Sequence, residues 1–190
     1  MKKTFVIISS FWVFFGCTET KNKSTNTNYA EYATGFHIEN KGSYNILTLK
    51  NVIPNSQKSY RYILISDDKK IPKNIDYHGI IRTPLERIIA TSTTHIAFLE
   101  ELNATDILVG FPETKYISSP QLRKKIELGE IVDVGKSQQL NIERVLNLNP
   151  DLILSFGVES IDNSLNRFNV KGIPSVFIGE WNEQSPLGRA

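Results

Sequence analysis

This 190-residue chain contains little cysteine and histidine, with one Cys and three His residues. Because Cys17 is the only cysteine, no disulfide can form within the chain. His37, His78 and His95 show no metal-ligand spacing, and no cysteine can join them. We therefore expect no metal site and no bound cofactor. We interpret His95 as a packing residue at a helix N-terminus, where the helix dipole disfavours the protonated form.

The chain also lacks an excess of charge of one sign, with 22 basic and 20 acidic residues. If Lys2 and Lys3 are removed with a signal peptide, the remaining chain has equal numbers of basic and acidic residues. The basic triplet at residues 123–125 is typical of a solvated helix face. We therefore expect no nucleic-acid partner. Ser92 has no assignable base partner and no surrounding nucleophile motif, so the sequence does not predict an enzyme.

A hydrophobic run long enough to cross a membrane is missing at the N-terminus. The apolar run at residues 4–15 has twelve residues, and a spanning helix needs about 20. Basic residues precede this run and Gly16-Cys17 follows it, so residues 1–16 are predicted to be a signal peptide. Cys17 resembles a lipoprotein processing site; an ordinary signal peptide with an incidental cysteine is the alternative. Residues 17–28 are polar and are predicted to form a flexible tether.

Hydrophobic periodicity divides the remaining chain into two parts. Residues 30–66 alternate apolar and polar positions around turn signals, and they predict two or three antiparallel strands. From residue 87 onward, strands alternate with helices, and this alternation indicates βαβ units and a parallel sheet. The predicted fold class is α/β, a parallel βαβ lobe preceded by a small antiparallel β segment. The predicted strands of the lobe cover residues 88–90, 107–109, 131–134, 152–154 and 175–178.

Two predicted helices in the lobe have informative ends. Ile96, Leu99 and Leu102 lie on one helical stripe and predict the buried face of the first helix. Asn141 precedes an apolar helical face and is a plausible N-cap, and the sequence Asn-Pro at residues 149–150 cannot continue the helix. The polar residues 136–139 precede this second helix and form a predicted loop. Loops that follow parallel strands are where open α/β sheets bind ligands.

One stretch carries a family resemblance. Residues 132–135 (VDVG), a short polar loop and residues 141–154 (NIERVLNLNPDLIL) resemble the first lobe of ABC-transporter solute-binding proteins for cobalamin and iron–siderophore complexes. Residues 87–110 and 172–190 fit the same pattern. The resemblance implies that residues 29–190 form the N-terminal half of a two-lobe binding fold, with the second lobe absent. The alternative is a truncated one-lobe surface lipoprotein that acts only as an interaction module.

The resemblance also implies a function and its partners. Such a protein captures cobalamin or a ferric siderophore without covalent chemistry and delivers it to an ABC permease and its ATPase. It is exported and lipid-anchored through Cys17 on the periplasmic or cell-surface face of a bacterial membrane. Glu143 matches the glutamate that docks on permease arginines, although a favourable interaction with the helix dipole is an alternative role.

The predicted ligand contacts lie in the loops after the parallel strands and at the start of the first helix. The hydroxyl groups at residues 92–94 could cap that helix and also face the ligand, because the two roles are compatible. Phe111 and Trp181 are the predicted stacking aromatics, and packing between domains is the alternative for Trp181. The full predicted set is Ser92, Thr93, Thr94, Phe111, Pro112, Glu113, Ser137, Gln138, Gln139 and Trp181.

Overall fold

A computed structural model describes residues 31–53, 57–156 and 167–189 of the chain. The predicted signal peptide, the lipidation site Cys17 and the tether therefore lie outside the described residues. Within these described ranges, no helix has the length and apolar character that crossing a membrane requires.

The first sheet contains four strands, β1 (Phe36–Asn40), β2 (Asn45–Lys50), β3 (Ser59–Ser66) and β4 (Gly79–Thr83), in that spatial order. The β1–β2 and β2–β3 pairs are antiparallel, as the alternating sequence predicts. The β3–β4 pair is parallel. The antiparallel segment predicted for residues 30–66 is therefore confirmed, and the parallel strand β4 lies beyond that range and was not predicted.

The second sheet is parallel and contains five strands, β5 (Ile88–Ala90), β6 (Leu108–Phe111), β7 (Val132–Asp133), β10 (Leu152–Phe156) and β11 (Ser175–Ile178). Their spatial order is β11-β10-β5-β6-β7. Its strands come from the part of the chain where strands and helices alternate, so the predicted α/β fold class is confirmed. A two-stranded hairpin follows β7. The hairpin strands are β8 (Gly135–Lys136) and β9 (Gln139–Leu140).

The helices have ends that follow from local sequence. Asn141 caps α3 (Ile142–Leu148), because its side chain accepts a hydrogen bond from the Arg144 N–H at 3.0 Å. Gly172 follows residues 167–170 (α4) and has a φ of +84°. Glycine adopts this left-handed backbone conformation without strain, whereas residues with a Cβ are strained there. The other helices are α1 (Thr93–Glu101), α2 (Pro120–Glu127) and α5 (Pro186–Arg189).

The buried face of α1 differs from the predicted stripe at one position. Ile96 and Leu99 are buried, but Leu102 is 74% exposed. The helix ends at Glu101, and Leu102 is its C-cap residue, so the helical period no longer directs this side chain toward the core.

The two sheets are joined by specific contacts. The Tyr62 hydroxyl donates to the Ser175 carbonyl at 2.8 Å, and the Tyr60 and Phe177 rings lie 5.1 Å apart. The Glu183 carboxylate accepts hydrogen bonds from the backbone N–H groups of Thr34 and Gly35. The first sheet is therefore fixed beside the β11 side of the parallel sheet.

Candidate functional site

The strand order places a crevice at one defined point of the parallel sheet. From β5 the chain moves to β6 and β7 on one side, and it then crosses to β10 and β11 on the other. The order therefore reverses between β5 and β10. Ligands of open α/β sheets bind at the carboxyl ends of the strands beside such a reversal. The N-terminus of α1 follows β5 directly at this point.

Ser92 caps α1 at the reversal point. It has extended backbone angles, and its Oγ accepts a hydrogen bond from the Thr94 N–H at 3.3 Å. The Ser92 and Thr94 hydroxyl groups also lie 2.9 Å apart. Thr93 and Thr94 are exposed. The first turn of α1 therefore presents hydroxyl groups and the positive end of the helix dipole at the carboxyl ends of the strands.

His95 lies beneath this first turn and is 1% exposed. Neither ring nitrogen has a hydrogen-bond partner within the described part of the chain. Burial lowers the pKa of His95 from 6.5 to about 4. The nearby Leu154 carbonyl raises this pKa slightly, but it does not form a hydrogen bond of normal geometry with the ring. The imidazole is therefore neutral at physiological pH, as predicted, although burial is the main cause rather than the helix dipole.

The loops after β6 and β7 are held together by backbone contacts. The Glu113 N–H donates to the Gly135 carbonyl at 2.9 Å, and the Thr114 N–H donates to the Asp133 carboxylate at 3.2 Å. Gly135 has a φ of +102°, and a Cβ there would lie 3.2 Å from the Asn141 nitrogen. The structure therefore brings the two predicted ligand loops side by side.

The predicted polar contacts of these loops differ in exposure. Gln138 and Gln139 are exposed, whereas Ser137 and Glu113 are half-buried. Residues 136–139, predicted as a loop, form the turn and flanking residues of the β8–β9 hairpin. The hairpin fixes the backbone of this polar segment next to the cap of α3.

The two predicted stacking aromatics have little free surface. Phe111 is 3% exposed and packs in the hydrophobic core, and Pro112 is buried beside it. Trp181 is half-buried and lies after β11, two strands away from β5. The structure therefore places neither aromatic ring in the exposed loops next to the start of α1.

Sequence reasoning missed Tyr116, which is 59% exposed and follows the β6 loop. It lines a cavity of about 300 Å³ together with Thr93, the first residue of α1. The Lys115 ammonium lies 4.9 Å from the centre of the Tyr116 ring and 3.5 Å from the Glu113 carboxylate. A short 3-10 turn has no hydrophobic period, so only the position of Tyr116 after a parallel strand could have identified it.

A larger cavity of about 770 Å³ lies elsewhere, between α1, the first sheet and β11. Its lining is mainly apolar and includes Phe36, Phe98, Leu102 and Phe177. None of the ten predicted ligand residues lines it. The smaller cavity is lined by α1 from Thr93 to Glu100 and by residues 116–120, which follow β6. We place the candidate ligand site there, because the start of α1 and the segment after β6 both follow parallel strands, and ligands of this class of sheet bind beyond the carboxyl ends of the strands.

Glu143 lies in the first turn of α3 and is exposed. The neighbouring Arg144 donates to the Asp133 carbonyl at 2.7 Å, which ties the helix start to β7. The Glu143 carboxylate is therefore presented on the surface by a fixed helix start. The described residues contain no group of three or more His, Cys, Asp or Glu side chains arranged to hold a metal ion.

Comparison with known proteins gives a family match. A family model described as periplasmic binding protein matches residues 88–187. An uncharacterized lipoprotein of Methanocaldococcus jannaschii is 27% identical over 140 residues, covering 68% of this chain and 34% of that protein. A second uncharacterized lipoprotein of the same organism is 23% identical, covering 100% of this chain and 54% of that protein. The chain spans about half the length, or less, of these curated relatives.

Solved structures also show partial similarity. The petrobactin-binding protein of Bacillus subtilis aligns with a TM-score of 0.42 and 18% identity, covering 73% of this chain and 40% of that chain. The periplasmic vitamin B12 binding protein of Vibrio cholerae aligns with a TM-score of 0.39 and 25% identity, covering 50% of this chain and 34% of that chain.

Proposed function

This chain belongs to the periplasmic binding protein family, and we propose that it is a lipid-anchored solute-binding protein of an ABC importer for cobalamin or ferric siderophores. In this role it captures its ligand without covalent chemistry and delivers it to the permease and its ATPase. The observation that supports capture is the first turn of α1, capped by Ser92, at the point where the strand order reverses.

The chemistry of the proposed site suits binding. The exposed groups at the start of α1 and after β6 and β7 include hydroxyl groups, side-chain amides and one aromatic ring, which orient a ligand through hydrogen bonds and stacking. Lys115 and Lys136 add exposed charges to the same segments. His95 lies in the first turn of α1, but its side chain is buried and neutral. It is therefore a poor candidate for proton transfer to a bound ligand.

The proposed lipid anchor rests on Cys17 and on the names of the curated relatives, which are both called lipoproteins. We expect cleavage between Gly16 and Cys17, followed by acylation of the Cys17 thiol. Mass spectrometry of the N-terminal peptide from membranes measures this directly. An unmodified Cys17, or cleavage at another bond, would contradict the lipid anchor. It would not affect the proposal of ligand capture, which is tested by measuring ligand binding.

The proposed permease contact rests on the exposed position of Glu143 in the first turn of α3. Glu143→Arg replaces attraction to a permease arginine with repulsion of like charges, which costs several kcal/mol at an interface. We expect Glu143→Arg to abolish uptake and to leave ligand affinity unchanged. Fold stability should fall by about 1 kcal/mol or less, since only the helix-dipole interaction is lost.

Uptake is measured in cells that depend on the protein. Ligand affinity and melting temperature are measured on the purified variant. Glu127→Arg is the matched control, because Glu127 is also exposed but ends a different helix. Normal uptake by Glu143→Arg would remove the docking role. Equal loss of uptake in both variants would attribute the effect to total charge rather than to this position.

A further inference from the structure

The helix that carries Glu143 is short and is held by few core contacts. α3 has seven residues, and Val145 is its only buried residue. Ile142 and Leu148 are partly buried against the core. Helices of this length are unstable on their own in water, so tertiary contacts must hold them in place. Contacts at the start of α3 therefore set the direction in which Glu143 points.

Arg144 joins the start of α3 to the edge of the parallel sheet. In the sheet that the structure describes, β7 is the last strand, so its outward carbonyl groups have no neighbouring strand to pair with. One of them, the Asp133 carbonyl, accepts a hydrogen bond from the Arg144 guanidinium at 2.7 Å. The same guanidinium nitrogen lies 4.0 Å from Asp133 Oδ1. A charged donor makes a stronger hydrogen bond than a neutral one.

Asp133 is itself fixed through both of its carboxylate oxygens. Oδ1 accepts a hydrogen bond from the Gly135 N–H at 2.8 Å, and Oδ2 accepts one from the Thr114 N–H at 3.2 Å. The backbone of Asp133 also pairs with Phe111 of β6. The group that accepts from Arg144 therefore cannot shift without loss of contacts to the hairpin and to the loop after β6.

Glu143 and Arg144 are neighbours in sequence, but their charged groups have different contacts. Among the described residues, no ion pair involves the Glu143 carboxylate. The Arg144 guanidinium contacts Asp133 rather than Glu143. The Glu143 carboxylate is therefore available to a partner, while Arg144 holds the helix that presents it.

We propose that Arg144 is a positioning residue for docking on the permease. Through its contact with Asp133 it holds the start of α3, and it acts on the permease only through Glu143. This inference rests on the proposed function and adds the residue that orients the docking carboxylate. Positioning and charge predict opposite effects for the loss of Arg144. By charge alone, the surface around Glu143 becomes more negative and attracts permease arginines more strongly. Loss of positioning weakens docking instead.

Docking is measured with proteoliposomes that contain the permease and its ATPase. The purified full chain is added at increasing concentration together with a radiolabelled probe, and the concentration that gives half-maximal uptake reports docking. The probes are the ferric complex of a tricatecholate, the ferric complex of a trihydroxamate, and cyanocobalamin. The probe that the unchanged protein delivers is then used for every variant. Probe affinity and urea unfolding are measured on each purified variant.

Arg144→Met is the main variant, because methionine is similar in length and favours helices but cannot donate a hydrogen bond. We expect the half-maximal concentration to rise about tenfold, because the start of α3 must then be ordered during docking. Probe affinity should be unchanged. Lys124→Met is the matched control, since it removes a positive charge from an exposed position on a different helix. It should dock like the unchanged protein.

Hydrogen exchange shows whether the start of α3 becomes mobile. The Val145 N–H donates to the Asn141 carbonyl at 3.0 Å in the first turn of the helix. Its exchange should be about tenfold faster in Arg144→Met than in the unchanged protein. The Ile153 N–H, which donates to the Pro174 carbonyl within the parallel sheet, should exchange at the same rate in both. Unchanged exchange at Val145 would overturn the positioning role.

A double variant shows whether Arg144 acts through Glu143. Glu143→Gln removes the docking charge and should weaken docking. If Arg144 acts only by orienting this carboxylate, adding Arg144→Met to Glu143→Gln should cause little further change, because residues that act as a unit are not additive. A purely structural role would weaken docking by the same factor in both backgrounds, and that result would overturn the inference.

The outcomes separate the inference from the proposed function. Docking by Arg144→Met that equals or exceeds docking by the unchanged protein, with docking weakened in Glu143→Gln, would overturn the inference and leave the role of Glu143 standing. Normal docking by Glu143→Gln would contradict the docking role, and the inference with it. Delivery of none of the probes by the unchanged protein would contradict the proposed importer function.

Discussion

Glu183 offers the most direct test of how the chain holds its two sheets together. Its side chain lies between the start of the first sheet and the end of the chain, and the residue is 5% exposed. The carboxylate accepts hydrogen bonds from Thr34 N–H at 2.9 Å, from Thr34 Oγ1 at 3.0 Å and from Gly35 N–H at 2.6 Å. These contacts join positions 149 and 148 residues apart in sequence.

Glu183→Gln keeps the shape but replaces one acceptor oxygen with a donor NH₂ group. The remaining amide oxygen can still accept from both backbone N–H groups, but Thr34 N–H, which contacts both carboxylate oxygens, then also lies against the donor NH₂ group. The main loss is the charge, because a hydrogen bond to a charged group contributes about 1.5–3 kcal/mol, against about 0.5–1.5 kcal/mol for a neutral one. We therefore expect Glu183→Gln to lower the free energy of unfolding by about 2–3 kcal/mol at neutral pH.

The loss should depend on pH in a defined direction. Burial alone raises the pKa of Glu183, but the hydrogen bonds from Thr34 and Gly35 outweigh it, and the pKa lies below 4.5. A carboxyl group with a lowered folded-state pKa stabilises the fold fully above its unfolded-state pKa. That stabilisation is lost as the pH falls through the lower folded-state value. The difference between the original protein and Glu183→Gln should therefore shrink below pH 4.5.

Urea denaturation of both proteins at neutral pH and below pH 4.5 measures these two differences. Glu127→Gln, at an exposed position, is the matched control and should unfold like the original protein within about 0.5 kcal/mol. Equal stability of Glu183→Gln and the original protein at neutral pH would refute the reasoning. A loss of the same size at both pH values would show that the charge of Glu183 plays no part.

Three further predictions concern the supports of the candidate site. Because the pKa of buried His95 is about 4 rather than 6.5, stability should fall as the pH drops between these values, by at most about 1.4 kcal/mol per unit; His95→Leu should remove this slope in urea titrations. Asn141→Ala should cost about 1 kcal/mol in thermal unfolding through loss of the α3 cap, and Asn141→Asp should retain the cap; equal melting temperatures of all three proteins would disprove it. Gly135→Ala should cost about 1 kcal/mol or more in the same assay, because its φ is +102° and the new Cβ would crowd Asn141; a variant as stable as the original would contradict this.

The sequence predicted those parts of the fold that depend on local signals. The N-cap at Asn141, the end of that helix before Pro150 and the strand at residues 175–178 each follow from a few neighbouring residues, and the structure confirms them. The strand β4 was missed because its position depends on parallel pairing with β3 across a polar segment. No pattern within five residues can specify such a distant partner.

The candidate site was predictable only in outline. The sequence placed ligand loops after parallel strands, and the structure joins two of them through Glu113 and Gly135. It could not show that Phe111 packs inward, since an apolar residue at a strand end can face either side. It also could not single out Tyr116, whose exposure depends on how α1 and α2 flank it.

Chemical-shift mapping of the backbone amides during ligand titration tests the central claim most directly. The claim is that a ligand binds beyond the carboxyl ends of the parallel strands, between the start of α1 and the segments after β6 and β7. With gallium(III) complexes of siderophores, in which diamagnetic gallium(III) replaces iron(III), and with cyanocobalamin as ligands, we expect the largest shifts at residues 92–94, 113–119 and 137–139. Shifts concentrated instead at the apolar cavity around Phe98 and Leu102, or at the opposite ends of the strands around Arg87 and Asp151, would contradict the account.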